Sequence, residues 1–190
     1  MKSKIMKMMV AALVLASFGL MGCDTTVKDA DGNSYPTVKI GNQVWMAKNL
    51  NVNVPGSMCY ENDPANCEKY GRLYTWKAAM KACPIGWHLP SKEEFETLLI
   101  NVGFSGKERG ENLRAASWEN GADKFGFSAL PAGSYYYDEF GHLGIRTYFW
   151  SSPEYSSGYP YRLDINDYSA LVVSYSGYDG HSVRCLQDSN

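Results

Sequence analysis

The sequence predicts an α+β domain, because two amphipathic helical patterns in its first half are followed by a series of short strand patterns. Between residues 72 and 101, apolar residues recur at intervals of three and four positions. After residue 125 the apolar residues alternate with polar ones, and Gly, Pro, Ser and Asp separate the segments at short intervals. Helices followed by antiparallel strands are typical of the α+β class.

The first predicted element is a β-hairpin. Residues 35–40 and 43–47 alternate in the manner of strands, and Gly41-Asn42 between them is a turn sequence. Residues 51–70 are expected to form a loop, in which Asn62-Asp63-Pro64 makes a further turn.

Two helices follow this loop. Leu73, Trp76 and Met80 lie on one helical face and predict a helix over residues 72–82, which ends before Pro84. Ser91-Lys92-Glu93-Glu94 has the pattern of a capping box and predicts a second helix over residues 92–101. We expect both helices to bury their apolar faces against the sheets.

The second half is predicted to be rich in strands. A short helix is indicated around residues 112–118, before most of the strands. The candidate strands are residues 125–130, 133–137, 145–151, 161–165, 170–175 and 181–186. These short segments are expected to pair as antiparallel sheets joined by long loops.

The N-terminus predicts export and lipidation. Lysines near the start precede an apolar stretch, residues 8–18, that is too short to span a bilayer. Leu20-Met21-Gly22-Cys23 resembles a bacterial lipobox, in which the leader is cut before the cysteine. We therefore expect residues 1–22 to be a lipoprotein signal peptide and Cys23 to carry the lipid, with palmitate among its acyl chains. Residues 23–30 would then be a lipidated tether, and residues 31–187 would be the folded domain. The alternative is an ordinary secretory signal.

A lipidated cysteine places the protein in the cell envelope, and we expect it at the outer membrane of a Gram-negative bacterium. Asp24 directly after the cysteine resembles an inner-membrane retention signal of enteric bacteria, so the choice of membrane stays open. The membrane is expected to be contacted through the N-terminal lipid alone.

The charge balance excludes several classes of partner. Of the 18 Lys and Arg residues three lie in the leader, and none of the 20 Asp and Glu does, so the remainder has 15 basic and 20 acidic residues, a net charge of −5. Nucleic-acid binding requires clustered Lys and Arg, so no nucleic-acid partner is expected. The negative net charge and the lack of a basic cluster also argue against docking on anionic lipid through a basic patch.

Four cysteines remain when Cys23 is set aside: Cys59, Cys67, Cys83 and Cys185. An even number in an exported chain indicates two disulfides, for which three connectivities exist. Zinc is the competing interpretation, but no C-x₂-C pair is present to support it.

Several stretches of the chain together resemble one bacterial family. They are residues 40–50 (IGNQVWMAKNL), 70–76 (YGRLYTW), 83–91 (CPIGWHLPS), 125–133 (FGFSALPAG), 149–152 (FWSS) and 182–185 (SVRC). The combination is similar to the Fibrobacter succinogenes major paralogous domain (FISUMP) and covers about residues 27–187. That family resembles, more distantly, the C-type-lectin-like fold.

The C-type-lectin-like resemblance implies a disulfide framework. In C-type lectins the first helix is linked to the last strand, which would pair Cys83 with Cys185 and leave Cys59 with Cys67. The calcium triplets of sugar-binding C-type lectins, Glu-Pro-Asn or Gln-Pro-Asp and Trp-Asn-Asp, do not occur in this sequence. No cofactor is therefore expected, with one alternative: a calcium site formed by Asp164, Asn166 and Asp167.

No catalytic motif is present in the sequence. G-x-S-x-G and H-E-x-x-H do not occur, and the three histidines lie far apart. His88 is expected to be a hydrogen-bonded packing residue. The segment around Leu89-Pro90-Ser91 faintly resembles formylglycine-generating enzymes, but those need a reactive cysteine pair near the C-terminus, where this chain has only Cys185. We expect no enzymatic activity.

Aromatic residues indicate a binding surface. The chain has 14 Tyr, which concentrate with Asp and Asn in the second half, and Trp150 is expected to be core. The candidate ligand-binding residues are Tyr135, Tyr136, Tyr137, Tyr155, Tyr159, Tyr161, Asp164, Asn166 and Asp167. We expect a non-catalytic, surface-anchored binding module for a glycan or cell-wall polysaccharide. The alternatives are a protein–protein adhesion module, in which a surface protein is the ligand, and a structural envelope lipoprotein.

Overall fold

Two β-sheets and four short helices make up residues 26–189, the part of the chain that the computed structural model describes. In chain order the strands are β1 Thr26–Lys28, β2 Ser34–Ile40, β3 Gln43–Met46, β4 Ser57–Met58, β5 Leu73–Thr75, β6 Trp87–His88, β7 Ala132–Tyr136, β8 Glu139–Leu143, β9 Thr147–Ser156, β10 Tyr159–Ile165, β11 Ala170–Ser174, β12 Gly180–His181 and β13 Leu186–Gln187. The α+β class is confirmed. The predicted signal peptide and Cys23 lie outside the described residues.

One sheet joins the two ends of the domain, in the order β1-β2-β3-β13-β6. Its β2–β3 pair is the predicted hairpin, with Val38 opposite Trp45. β1 pairs with β2, and the adjacent Asp29 accepts a hydrogen bond from the buried Tyr35 hydroxyl. Residues 26–30, expected to be tether, therefore belong to the folded domain.

The other sheet has the order β11-β10-β9-β7-β12-β5-β4, and β8 pairs with β7. Most of its pairs are antiparallel, as predicted, but β7 and β9 are parallel, with Gly133 opposite Thr147. The predicted strand over residues 125–130 is wrong, because only Ala129 forms a bridge there, with Arg114. The predicted strand over 181–186 is two short strands, β12 and β13, in different sheets.

The helices are α1 Pro64–Tyr70, α2 Trp76–Ala79, α3 Lys92–Val102 and α4 Gly106–Leu113, with a 3₁₀ turn over Tyr60–Asn62. The predicted α3 is confirmed, and its capping box is present: the Ser91 hydroxyl accepts from the Glu94 N–H, and the Glu94 carboxylate accepts from the Ser91 N–H. None of the helices in the described chain is long and apolar enough to cross a bilayer.

Three helix predictions need correction. Residues 64–70, expected to be loop, form α1 because the Asp63 side chain caps it and Pro64 suits its first turn. The helix predicted over 72–82 is only α2, since residues 73–75 pair with β4 and β12 and Thr75 is the N-cap. The short helix predicted over 112–118 lies earlier, as α4, because Ser105 caps it.

The core of the domain is aromatic. Trp45 stacks on Phe95 of α3 with ring centroids 5.4 Å apart, and Phe127 contacts both Trp45 and Phe149 at 5.8 Å. All four side chains are fully buried. They pack α3 against both sheets, which holds the strands of the second half in place.

Two disulfides connect Cys59 with Cys67 and Cys83 with Cys185. This is the pairing that the family resemblance implies. The first closes a local loop that contains the 3₁₀ turn and the start of α1. The second spans 102 residues and ties the segment after α2 to the segment before β13.

Candidate functional site

A cleft of about 720 Å³ opens at the end of the larger sheet. Its walls come from the β7–β8 hairpin, the β9–β10 turn and the segment after β11. We call it the tyrosine cleft, because its walls include six tyrosines: Tyr135, Tyr136, Tyr137, Tyr159, Tyr175 and Tyr178. Asp138 and Asp179 complete it, together with Ser and Gly residues of the turns.

The wall from β7 and β8 depends on a strained turn. The two-residue turn Tyr137-Asp138 has positive φ at both positions, 47° and 62°, which is the pattern of a type I′ hairpin. Asn and Gly normally occupy such positions, and a tyrosine there costs free energy. The turn places the Tyr137 side chain in solvent, where 81% of its surface is exposed. The centroid of its ring lies 4.2 Å from that of Tyr136.

The opposite wall is held by a buried cation. The Arg162 guanidinium lies between two rings, 4.3 Å from the centroid of Tyr148 and 3.9 Å from that of Tyr175. Tyr175 in turn contacts Tyr136 at 5.7 Å. The cleft tyrosines are therefore connected to the buried interior by a continuous series of groups in contact.

Behind this wall, Arg162 Nη1 lies 2.9 Å from His181 Nε2. Arginine can only donate, so Nε2 accepts and the His181 proton is on Nδ1. His181 is fully buried against Trp150, and burial together with the Arg162 charge lowers its pKa well below the ordinary value. His181 is a neutral imidazole that positions Arg162.

Asp179 lies at the base of the cleft and is only 3% exposed. Its Oδ2 atom is 3.8 Å from Arg162 Nη1 and 3.7 Å from His181 Nε2, both beyond hydrogen-bond distance. No described residue donates a hydrogen bond to this oxygen. Burial raises the pKa of Asp179 to about 6, although the Arg162 charge acts in the opposite direction.

The structure brings together four of the predicted ligand-binding residues: Tyr135, Tyr136, Tyr137 and Tyr159. Tyr155 and Tyr161 contact each other at 6.0 Å and do not line the cleft. Nothing in the sequence singles out Asp138, Asp179 or Arg162, because an acid beside a turn and an arginine in a strand are ordinary. Only their burial and their neighbours mark them.

The three residues of the alternative calcium site have other contacts. Asp164 faces Arg162 at 4.0 Å, and Asp167 accepts from Arg114 Nη1 at 3.0 Å. The Asn166 side-chain oxygen accepts two backbone N–H groups of the following turn. Over residues 26–189, no group of three or more His, Cys, Asp or Glu residues is arranged to hold a metal ion.

A second depression, of about 560 Å³, lies beside the first sheet and reaches Arg184. The Arg184 guanidinium is fully buried, but it donates to the Asn49 side chain at 2.7 Å, to the carbonyl of Met46 at 3.1 Å, to that of Ser128 at 3.0 Å and to that of Phe127. These hydrogen bonds connect β3 with the segment after α4, so Arg184 has a structural role. The tyrosine cleft is therefore the stronger candidate site.

Comparison with known proteins gives one family and no individual relative. The model of a family described as the Fibrobacter succinogenes major domain matches residues 38–187. No curated protein and no solved structure matches the chain. The matched region extends from β2 to β13 and includes the whole tyrosine cleft. The chain belongs to the Fibrobacter succinogenes major domain family.

Proposed function

We propose that this protein is a non-catalytic binding module and that the tyrosine cleft binds a glycan. The observation that carries the proposal is the cleft itself, in which six tyrosines from three separate segments meet around two carboxylates. Sugar rings present C–H faces that pack on aromatic rings, and their hydroxyl groups donate to carboxylates. A cleft of this volume accommodates one or two sugar residues of a chain.

The chemistry of the histidines supports a non-catalytic role. His181 is buried, its Nε2 atom accepts from Arg162, and it does not line the cleft, so it is not placed to exchange a proton with a ligand there. Both ring nitrogens of His88 contact carboxylates, Asp188 at 2.7 Å and Glu94 at 3.0 Å. Cys185, which a formylglycine-generating mechanism would need as a free thiol, is in a disulfide.

The location that we propose is the cell envelope, at the outer membrane, with Cys23 as the lipid attachment point. Its motivation is the lipobox at residues 20–23. The Cys23→Ser protein should be released from membranes and should lack the mass of the acyl chains. If it sediments with membranes as the native protein does, the anchor lies elsewhere.

We also propose that the fold is C-type-lectin-like. The support is the Cys83–Cys185 bond, which ties the segment after the Trp-containing helix α2 to the residue directly before the last strand. The pairing of β13 with β3 likewise brings the ends of the domain together, and the candidate ligand surface comes from the strand-rich half.

The test of glycan binding uses the Cys23→Ser protein on a glycan array and on insoluble polysaccharides, with calcium and with chelator. Tyr178→Ala and Tyr137→Ala should each weaken retention about 5- to 150-fold, because a contacting Tyr contributes on the order of 1–3 kcal/mol. Tyr155→Ala is the matched control, since Tyr155 is 70% exposed and lies outside the cleft.

Three results would count against the proposal. Equal retention of all three variants would make the cleft tyrosines irrelevant to binding. Binding of a surface protein, with no retention on any polysaccharide, would replace the glycan with a protein ligand. Loss of retention in chelator would restore the calcium alternative at Asp164, Asn166 and Asp167.

A further inference from the structure

The charge of the tyrosine cleft has one sign. Of the residues that line it, Asp138 and Asp179 are acidic, and none of them is Lys, Arg or His. Asp138 accepts a hydrogen bond from the Tyr135 hydroxyl at 3.1 Å, which is a neutral donor and leaves its charge in place. A ligand in the cleft therefore meets a negative field that repels acidic sugars.

The carboxylate at the base of the cleft has an oxygen to which no described residue donates a hydrogen bond. Asp179 is 3% exposed, and its Oδ2 atom has no hydrogen-bond partner in the described chain. The nearest donor, Arg162 Nη1, is 3.8 Å away and 2.9 Å from His181 Nε2, to which it donates. Such a buried carboxylate without a donor is costly, and a cation held in the cleft beside it lowers that cost through its electrostatic field, without contact with Oδ2.

Arg162 does not neutralise this site. Its guanidinium faces Asp179 and also Asp164, whose Oδ2 atom lies 4.0 Å from Nη2. His181, the other titratable group beside Asp179, is uncharged. Arg146 also acts on Asp164, so two cations face these two carboxylates, and Asp138 at the mouth adds a third carboxylate that leaves one negative charge in excess.

The aromatic walls favour a cation as well. Tyr137 and Tyr178 are 81% and 90% exposed, so large parts of their rings are open to a ligand. The negative face of an aromatic ring attracts ammonium groups, and aromatic cages closed by a carboxylate are a common way to bind them. Arg162 already uses the face of Tyr175 in this manner inside the same wall.

We propose that the ligand of the tyrosine cleft carries a protonated amino group, which packs on the tyrosine faces and is attracted by the carboxylates of Asp138 and Asp179. This inference rests on the proposed glycan binding and narrows it to polysaccharides with free amino sugars. An acetylated amino sugar has the same ring but no positive charge, so the two forms separate charge recognition from ring stacking.

The test compares glucosamine oligomers with N-acetylglucosamine oligomers of equal length, titrated into the Cys23→Ser protein. The glucosamine oligomer should bind about tenfold more tightly, and added salt should reduce the difference. Asp179→Asn and, independently, Asp138→Asn should weaken glucosamine binding about tenfold and change N-acetylglucosamine binding less than twofold. Their melting temperatures verify that both variants fold.

Equal or tighter binding of the acetylated oligomer overturns the inference and leaves glycan binding intact. The inference also fails if the protein is retained on neutral polysaccharides but binds neither oligomer. Tetramethylammonium, a cation without a sugar, tests the charge separately. It should shift NMR signals of the cleft tyrosines in the wild type and not in Asp179→Asn, and the absence of that shift also overturns the inference. If the shift occurs while no polysaccharide is retained, the cation site stands and glycan binding fails.

Discussion

The Arg162 guanidinium lies 3.9 Å from the centroid of the Tyr175 ring, so a buried cation supports one wall of the surface cleft. The same guanidinium lies 4.3 Å from the centroid of Tyr148, which is part of the interior. Arg162 therefore connects the packed interior with the tyrosines of the cleft wall. A mobile arginine in this position would leave Tyr175 without a fixed orientation.

Replacing Arg162 with Met should destabilise the domain and weaken ligand retention together. The change removes the stacking partner of Tyr175 and leaves Asp164 and Asp179 without their shared cation, and removal of one member of a buried ion pair costs about 3–5 kcal/mol. Urea unfolding measures the loss. Lys77→Ala, at an exposed position, is the control. A Met variant as stable as that control would mean that Arg162 does not hold the wall.

Asp179→Asn should stabilise the domain at pH 8. The folded pKa of Asp179, about 6, is raised above the unfolded value of roughly 4, so the folded state binds more protons between these pH values and loses stability as the pH rises from 4 to 6. The neutral amide avoids this loss, which is on the order of 1–3 kcal/mol. The gain should be complete above about pH 6.5 and should vanish near pH 4. A structural aspartate would give the reverse result, and Asp138→Asn, at an exposed position of the same cleft, is the matched control.

Tyr137→Asn should raise the melting temperature while it weakens retention on the ligand. Asn tolerates the left-handed conformation that Tyr137 adopts at φ 47°, so the change relieves up to about 1 kcal/mol of backbone strain. Tyr168→Asn is the matched control, because Tyr168 is similarly exposed and its φ is not positive. A lower melting temperature for Tyr137→Asn would mean that the tyrosine stabilises the turn.

The two disulfides should differ in their contribution to stability. In the chain-entropy model the Cys83–Cys185 bond, which spans 102 residues, contributes about 4–5 kcal/mol, and the Cys59–Cys67 bond, which spans 8, contributes about 2–3 kcal/mol. Denaturant unfolding of the paired Cys→Ala variants measures both. Equal losses from the two pairs would contradict this ranking.

His88 should stabilise the C-terminal strand at acidic pH. Burial lowers the pKa of His88, but its hydrogen bonds to Asp188 and Glu94 outweigh this and raise the pKa above the ordinary value. A raised folded pKa means that the stabilisation is complete below about pH 6.5 and is lost as the pH rises through the folded pKa. His88→Asn should therefore lose more stability at pH 5.5 than at pH 9, and Asp188→Asn should follow the same trend. Losses that do not depend on pH would show that packing alone is involved.

Local patterns were sufficient for the elements that neighbouring residues stabilise. The hairpin turns at Gly41-Asn42, and α3 begins at the Ser91–Glu94 capping box, because each signal lies within a few residues of the structure it stabilises. The helix prediction over residues 72–75 is wrong because a distant part of the chain determines the structure there. Leu73 and Trp76 fit a helical face, but β5 pairs with β12, whose residues lie more than 100 positions later in the chain.

Four features follow from the amino-acid sequence alone: the α+β class, the family, the cysteines available for the two disulfides and the concentration of tyrosines in the second half. The three-dimensional arrangement was needed to show that Tyr159 lines the cleft while Tyr155 and Tyr161 do not, because the pairing of β9 with β10 is irregular around Pro160 and breaks the alternation of side chains. It also decided that Asp179 is buried beside Arg162. Burial of a charge depends on which distant strands meet around it, and no local pattern encodes that.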